Sequence, residues 1–497
     1  MDKHFRFILL ASLGVSLFWV VFLWNFWIRG IWALGFNVFV YLTALFAVFL
    51  WTLRREGVRL RNCLYWIVPL GLIVLSFALY DNPFLKVVSI LVLPVLFVIF
   101  HNVSLIEEEE RLHWDSRLVG RLAWRALSLL GSLVGSARSH VQLLIPSRRQ
   151  DSLGVRIVAG VSLLLLISVT VILPLLGSAD TQFAAALDQF TRWFQDLVSA
   201  TVVSKILWAL ALSVATTAGV LAWGRKFSHA VEAADEKPVD SVVAGIVLGG
   251  VLALYVVFLL LQVNRLVIGS LPFEFKDVEH AVKSGFWQLL ALSVLNIGIF
   301  FAAYRKTAPL VQKILLAFAV SSLLLLASAA QRMGLYVVSY GFSYEKLFAS
   351  YTVLYCAVLL GWLIYRMFIP TRANILKFVV VLFVWMYGLL AVLPVERLIF
   401  SANVSLAGRE DTRIHLYEMT MLSTDVLGQV REAIATGDLG EPLPFVDTVC
   451  RPGGCERVEF SSGTVHPDWE VWVRRGERRL QEKAWYEKNL SNLTLSE

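Results

Sequence analysis

Apolar runs of about twenty residues recur along most of this chain, and each is long enough to cross a bilayer as an α-helix. The first covers residues 7–28. It lacks the short apolar core and small-residue cleavage site of a signal peptide, so it reads as an uncleaved anchor. Further runs fall at 31–52, 63–80, 84–100, 157–176, 202–223, 242–263, 286–304, 310–330, 347–369 and 378–393, giving about eleven expected spans. Asp81-Asn82-Pro83 joins the third and fourth as a tight turn. No Asp, Glu, Lys or Arg stands near the middle of a run, which argues against a proton pump or a voltage sensor. Mid-span polar residues such as Asn37, Ser168, Thr216 and Asn296 are expected to bridge neighbouring helices.

The polar intervals set the orientation. Arg54, Arg55, Arg59 and Arg61 crowd one short loop, and Lys and Arg are again in excess at 101–156 and 225–237. The positive-inside rule places these loops and the N-terminus in the cytoplasm. The expected organisation is spans one to four in 1–100, a cytoplasmic basic amphipathic loop at 101–156, spans five to eleven in 157–398, and an extracytoplasmic C-terminal domain at 399–497. Within 101–156, Leu118, Leu122, Leu127, Leu129 and Leu130 lie among Arg117, Arg121, Arg125 and Arg138. Part of that segment is therefore either an amphipathic helix on the cytoplasmic leaflet or a solvated helical hairpin. Residues 414–430 read as helices joined near Ser423-Thr424. The stretch from Asp468 reads as a charged helix with Trp469, Trp472 and Leu480 against four arginines. The fold class is all-α: a polytopic transmembrane helix bundle with a small extracytoplasmic C-terminal domain.

Composition agrees with lipid as the solvent. Of 497 residues, 58% are hydrophobic and only 16% charged, more apolar surface than a soluble domain hides. The net charge of +7 comes from loops on alternate sides of apolar runs, a topology signal and not a nucleic-acid footprint. Membrane lipids and envelope proteins are the expected partners, with no nucleic acid. No phosphate loop, His-Glu-x-x-His, nucleophile elbow or dinucleotide fingerprint occurs, so no cofactor, metal or catalytic residue is assigned.

Two stretches carry candidate chemistry. From Gln331 to Ala349 the chain holds Arg332, Tyr336, Tyr340, Tyr344, Glu345 and Lys346 between apolar runs. In a helix Arg332, Tyr336 and Tyr340 fall on one face, and Gly341 can end it. This is either an interfacial aromatic belt with flanking cations or a binding site. The outer loop at 271–285 carries Glu274, Asp277, Glu279 and His280, groups suited to acid–base chemistry or to ion pairs. The charge-derived topology brings both stretches to the outer face, where Arg332 is expected to meet one of these acids or a lipid phosphate. Cys450 and Cys455 flank Arg-Pro-Gly-Gly, a turn suited to a disulfide in an oxidising compartment. A metal site with His466 matches no standard zinc spacing.

Four stretches resemble a family of bacterial multipass membrane proteins, of the domain-of-unknown-function 4153/4173 type. They are Leu271-Pro272 ahead of Gly285–Leu290; Arg332, Leu335, Tyr336, Tyr340, Gly341, Phe342 and Ser343; Leu422, Ser423 and Asp425; and Asp468, Trp469 and Trp472. Lys346 stands where the family usually has Arg. The resemblance implies a bacterial inner-membrane protein of the cell envelope and brings no known activity. The expected function is that of a cell-envelope scaffold, sensor or accessory component, with a transporter or flippase of a lipid-linked or amphipathic anionic molecule, or an envelope-modifying membrane enzyme, as alternatives.

Overall fold

The computed structural model describes residues 3–106, 114, 116–144, 200–223, 240–266, 275–304, 307–369, 374–407, 416–439, 444–451, 454–464 and 469–493. Among them, ten helices are long and apolar enough to cross a membrane, so the chain forms the multipass helical bundle that the apolar runs predict. The expected span at 157–176 lies outside the described residues. The chain divides into two compact units: Met1–Leu64 with Pro94–Glu107 and Ser116–Ser228, and Tyr65–Leu93 with Glu108–Asp115 and His229–Glu497.

The first unit contains α1 (Lys3–Phe22), α2 (Phe36–Arg55), the second half of α4 (Pro83–Ser104), α5 (Ser116–Leu144) and α6 (Ala200–Trp223). Ile8, Val15, Val48, Phe49, Val220 and Trp223 form its core. Asn37 acts within the corner before α2: its amide donates to the carbonyls of Phe22 and Ala33, and its oxygen accepts from Gly35 N–H. The amphipathic helix expected from the basic segment is α5, and it packs antiparallel along α6. The Arg125 guanidinium donates to the Trp223 carbonyl, Ser136 Oγ to the Val214 carbonyl, and His140 Nε2 lies 2.8 Å from Ser213 Oγ. Its polar side thus turns towards a membrane-length helix, and Trp124, Leu127, Leu130 and Val134 are left exposed, as suits a surface facing lipid.

The second unit is built from α3 (Leu64–Leu79, from Tyr65), the first half of α4, α7 (Ser241–Leu266), α8 (Phe275–Ala303), α9 (Pro309–Tyr340), α10 (Tyr344–Phe368), α11 (Ile375–Val392) and α12 (Val395–Ala407). Its main core joins α7 to α10 through Leu248, Tyr255, Phe286, Phe300, Leu315, Phe318, Leu359 and Leu363. Asn296 bridges three helices there, accepting from the Tyr255 hydroxyl and donating to Ser322 Oγ. α3 and α11 meet at Pro69 and Gly388. A Cβ at Gly388 would lie 2.8 Å from the Pro69 carbonyl oxygen, so the close approach requires glycine.

The C-terminal region belongs to the second unit. Two 3-10 turns (Leu416–Met421 and Thr424–Val426) lead into α13 (Leu427–Thr436), against which α14 (Trp469–Glu482) packs through Trp469, Val473, Gly476 and Leu480. Between them a two-stranded antiparallel hairpin, β1 (Pro444–Arg451) and β2 (Gly454–Thr464), adds strand to an otherwise helical chain. Its register sets Cys450 opposite Cys455.

Candidate functional site

Three helix corners of the second unit supply a buried ionic cluster. At the corner between α3 and α4, Asn82 caps α4, its Oδ1 accepting from Leu85 N–H. This turn sets Asp81 just before the helix and Lys86 in its first turns. After α11, Leu393-Pro394 redirects the chain and Glu396 enters the first turn of α12. The third corner is Ser423-Thr424-Asp425, where Ser423 caps the 3-10 turn and so fixes Asp425. The C-terminal segment adds Lys483, Ser491 and Asn492.

The contacts are dense and inward. Asp81 is 1% exposed; one of its carboxylate oxygens pairs with the Lys86 ammonium, and the other lies 2.5 Å from Lys483 Nζ. Asp81 N–H donates to Asp425 Oδ2 at 2.6 Å, and Ser491 Oγ donates to Asp425 Oδ1. Glu396 accepts from the Tyr344 hydroxyl on one oxygen and from Ser423 N–H and Oγ on the other. Arg397 Nε donates to the Asp425 carbonyl at 3.2 Å. The crevice alongside, lined by Tyr80, Asn82, Leu393, Glu396, Arg397 and Asp425, contains no water-sized void.

Burial without water makes every charge here expensive unless it is matched. Burial pushes the Glu396 carboxyl up to about 8, and the neighbouring Asp425 charge adds to this. Burial and then the Asp81 charge raise Asp425 to about 6. Burial acts upward on Asp81 too, but the Lys86 and Lys483 ammoniums outweigh it and hold Asp81 below its ordinary value. Burial depresses Lys483, with Asp81 opposing the shift. When Glu396 keeps its proton, two carboxylates face two ammoniums, with the Arg397 guanidinium beside them. The Tyr344 and Ser423 hydroxyls can each reverse and accept from the protonated acid.

The structure distributes the sequence candidates differently from one shared site. Tyr344 joins the ionic cluster. Tyr336 and Tyr340 pack together on the buried face of α9, ring centroids 5.0 Å apart and planes tilted by 45°, and Gly341 ends that helix at φ 69°. Lys346 folds back beneath them: Nζ is 4.5 Å from the Tyr336 ring centre and donates to the carbonyls of Tyr340 and Gly341. It therefore neutralises a helix C-terminus. Asn403 of α12 holds the next residue, pairing with both N–H and C=O of Phe342. Arg332 is half-buried on α9 and Glu345 is exposed on α10. Glu274 lies outside the described residues. Asp277, Glu279 and His280 are on the first turns of α8, with side chains outside the description, so the expected pairing with Arg332 lies there as well. The same holds for the side chains of Cys450 and Cys455.

Sequence reasoning missed Asp81, Lys86, Glu396 and Lys483. One signal was present: Lys86 stands a short step inside an apolar run, just after an acid in a turn. Ser423 and Asp425, in contrast, belong to a sequence motif that carries no role by itself, and the cluster supplies one.

These features define a polytopic helical membrane protein with a buried ionic site at one end of its second unit. The chain belongs to the family described as Domain of unknown function (DUF4153), whose family model matches residues 67–433. That match includes Asp81, Lys86, Tyr344, Glu396 and Asp425, whereas Lys483, Ser491 and Asn492 lie beyond it. No curated protein and no solved structure matches the chain.

Proposed function

We propose that this protein is a non-enzymatic component of the bacterial envelope, a scaffold or sensor in the inner membrane, whose C-terminal segment is latched onto the helix bundle. The observation that carries this reading is the capture of Asp81 between Lys86 of the bundle and Lys483 of the C-terminal segment, both side chains nearly fully buried. The carboxylates and hydroxyls of the cluster are turned on its ammoniums and on one another, and the crevice alongside holds no water-sized void. That arrangement suits a clamp better than a catalytic or transport site. Its partners are membrane lipids and other envelope proteins.

The orientation keeps the N-terminus cytoplasmic and 399–497 extracytoplasmic. Support comes from parity: the corners at Asp81, Gly341 and Pro394, which the charge bias assigns to the outside, meet through the contacts of Asp425, Tyr344 and Glu396. Asn374 and Trp114, both assigned to the cytoplasm, also meet. In an oxidising outer compartment Cys450 and Cys455, opposed in the hairpin, are bridged. Mass analysis after thiol blocking without reductant should find neither one labelled, and labelling of both would remove the bridge.

The latch is tested with Lys483→Met in the full chain, in membranes of a strain lacking the native gene. The C-terminal segment should become cleavable by trypsin at the α14 arginines while the spans stay protected, and complementation should fall. Wild-type protection together with full complementation would sink the latch reading.

A further inference from the structure

Another buried cation of the second unit lies away from the ionic cluster and from Lys346, and it is held in a different way. Arg366 is in the last turn of α10, a membrane-length helix, and its side chain is 7% exposed. Its guanidinium carbon lies 5.5 Å from the Tyr304 ring centre and 5.3 Å from that of Trp362. Each ring is itself backed by another. Trp362 stacks on Phe378 at 3.8 Å and 7°, and Tyr304 stacks on Phe300 at 5.2 Å and 18°. Phe300, Tyr304, Trp362 and Phe378 come from α8, the residue after it, α10 and α11, so three helices hold the rack together. The Tyr304 hydroxyl also donates to the Arg366 carbonyl at 3.5 Å.

The rack fixes where the guanidinium sits and leaves its hydrogen-bonding capacity open. Nε and Nη1 are buried with no hydrogen-bond partner. Aromatic faces attract the charge but accept no strong hydrogen bond from its N–H groups. An arginine that merely snorkels sends its head to water, and here two of the nitrogens are shut off from solvent. Buried donors on a cation are costly unless an acceptor completes them. What fits is an anion presenting several oxygens, which the guanidinium fork matches better than an ammonium does. The level is also specific. Arg366 lies two residues from the end of the span Tyr344–Phe368, where the hydrocarbon core gives way to headgroups.

We propose that Arg366, in its frame of Tyr304 and Trp362, is a binding site for a phosphate group at that face of the membrane. The shared chemistry is a phosphate oxyanion, supplied either by an anionic lipid headgroup or by free phosphate.

The test uses the full-length protein in detergent, stripped of lipid. It is titrated with phosphatidylglycerol, with phosphatidylcholine and with inorganic phosphate, and bound molecules are counted by native mass spectrometry. Wild type should hold one phosphatidylglycerol at least about tenfold more tightly than Arg366→Met does, the worth of a charge-assisted hydrogen bond. Arg366→Lys, which keeps charge and loses the fork, should fall between them. Competition between inorganic phosphate and phosphatidylglycerol in the wild type assigns the site to phosphate from either source; phosphatidylglycerol binding that phosphate does not displace assigns it to lipid. Equal phosphatidylglycerol affinity in wild type and Arg366→Met overturns the proposal. Should Arg366→Met fail to fold, the wild type alone decides: no preference for phosphatidylglycerol over phosphatidylcholine together with no phosphate binding overturns it too.

Discussion

Among the buried cations of the second unit, those at Asp81 and at Arg366 solve one physical problem in opposite ways. Around Asp81, two ammonium groups pair with its carboxylate, and backbone N–H and hydroxyl groups donate to the neighbouring acids. Around Arg366, the charge is cradled by ring faces, and two donors are left unmet. The difference separates a cation that holds the protein together from one arranged to hold something else. Burial alone does not tell them apart; the inventory of acceptors does.

The sharpest way to break this comparison is Asp81→Ala. It leaves two buried ammoniums without their counter-ion, and removing one partner of such a group destabilises by about 3–5 kcal/mol. A fall of several degrees in the thermal midpoint, followed in detergent by near-ultraviolet circular dichroism, is expected; no change would mean that the cluster is solvated. Lys483→Met should cost less, because Lys86 still neutralises Asp81, and its effect should be concentrated in the C-terminal segment. If it destabilises the chain as much as Asp81→Ala does, the two lysines are not independent partners.

The pH profile sharpens the comparison further. Glu396, raised to about 8 from 4.5, favours the folded state while protonated. Its contribution is complete below about pH 4.5 and is lost as pH rises towards 8. Asp425, raised to about 6, acts in the same direction over a lower window. Asp81 is held below its ordinary value, so its contribution is present above about pH 3.8 and is lost as pH falls through the lowered value. Stability should therefore decline from about pH 5 to 8, and Glu396→Gln should flatten that decline; Lys483, depressed by burial, acts in the opposite direction at higher pH. A wild-type profile that rises between pH 6 and 8 would contradict the assignment. The smallest effect is expected for Arg366→Met in lipid-free detergent, within about 1 kcal/mol of wild type, since no partner is stranded. A large loss there would show that its role is structural.

The membrane helices were legible because each carries its own signal: run length and the absence of charge. Even so, α9 continues to Tyr340, past the apolar run that ends near residue 330, because the Arg332 stretch keeps helical geometry until Gly341 turns the chain. The small-residue contacts that lay α5 along α6 were not readable, since Ser136 and His140 look like ordinary polar residues of a basic segment. The ionic cluster was invisible for a different reason. Asp81 finds Asp425 344 residues later and Lys483 402 residues later, and no local periodicity encodes pairings of that range. Asp81-Asn82-Pro83 reads as a turn, and it is one; that it also buries a carboxylate depends on what the rest of the chain brings to it.

The tie between Asp81 and Lys483 gives the site a place in time as well as in space. A chain elongating at about 5–20 residues per second makes Lys483 roughly 20–80 s after Asp81. For that interval the α3–α4 corner has one lysine and a vacant position. Until then Asp81 has only the first of its two ammonium partners, so the pairing that ties the corner to the C-terminal segment forms late in synthesis.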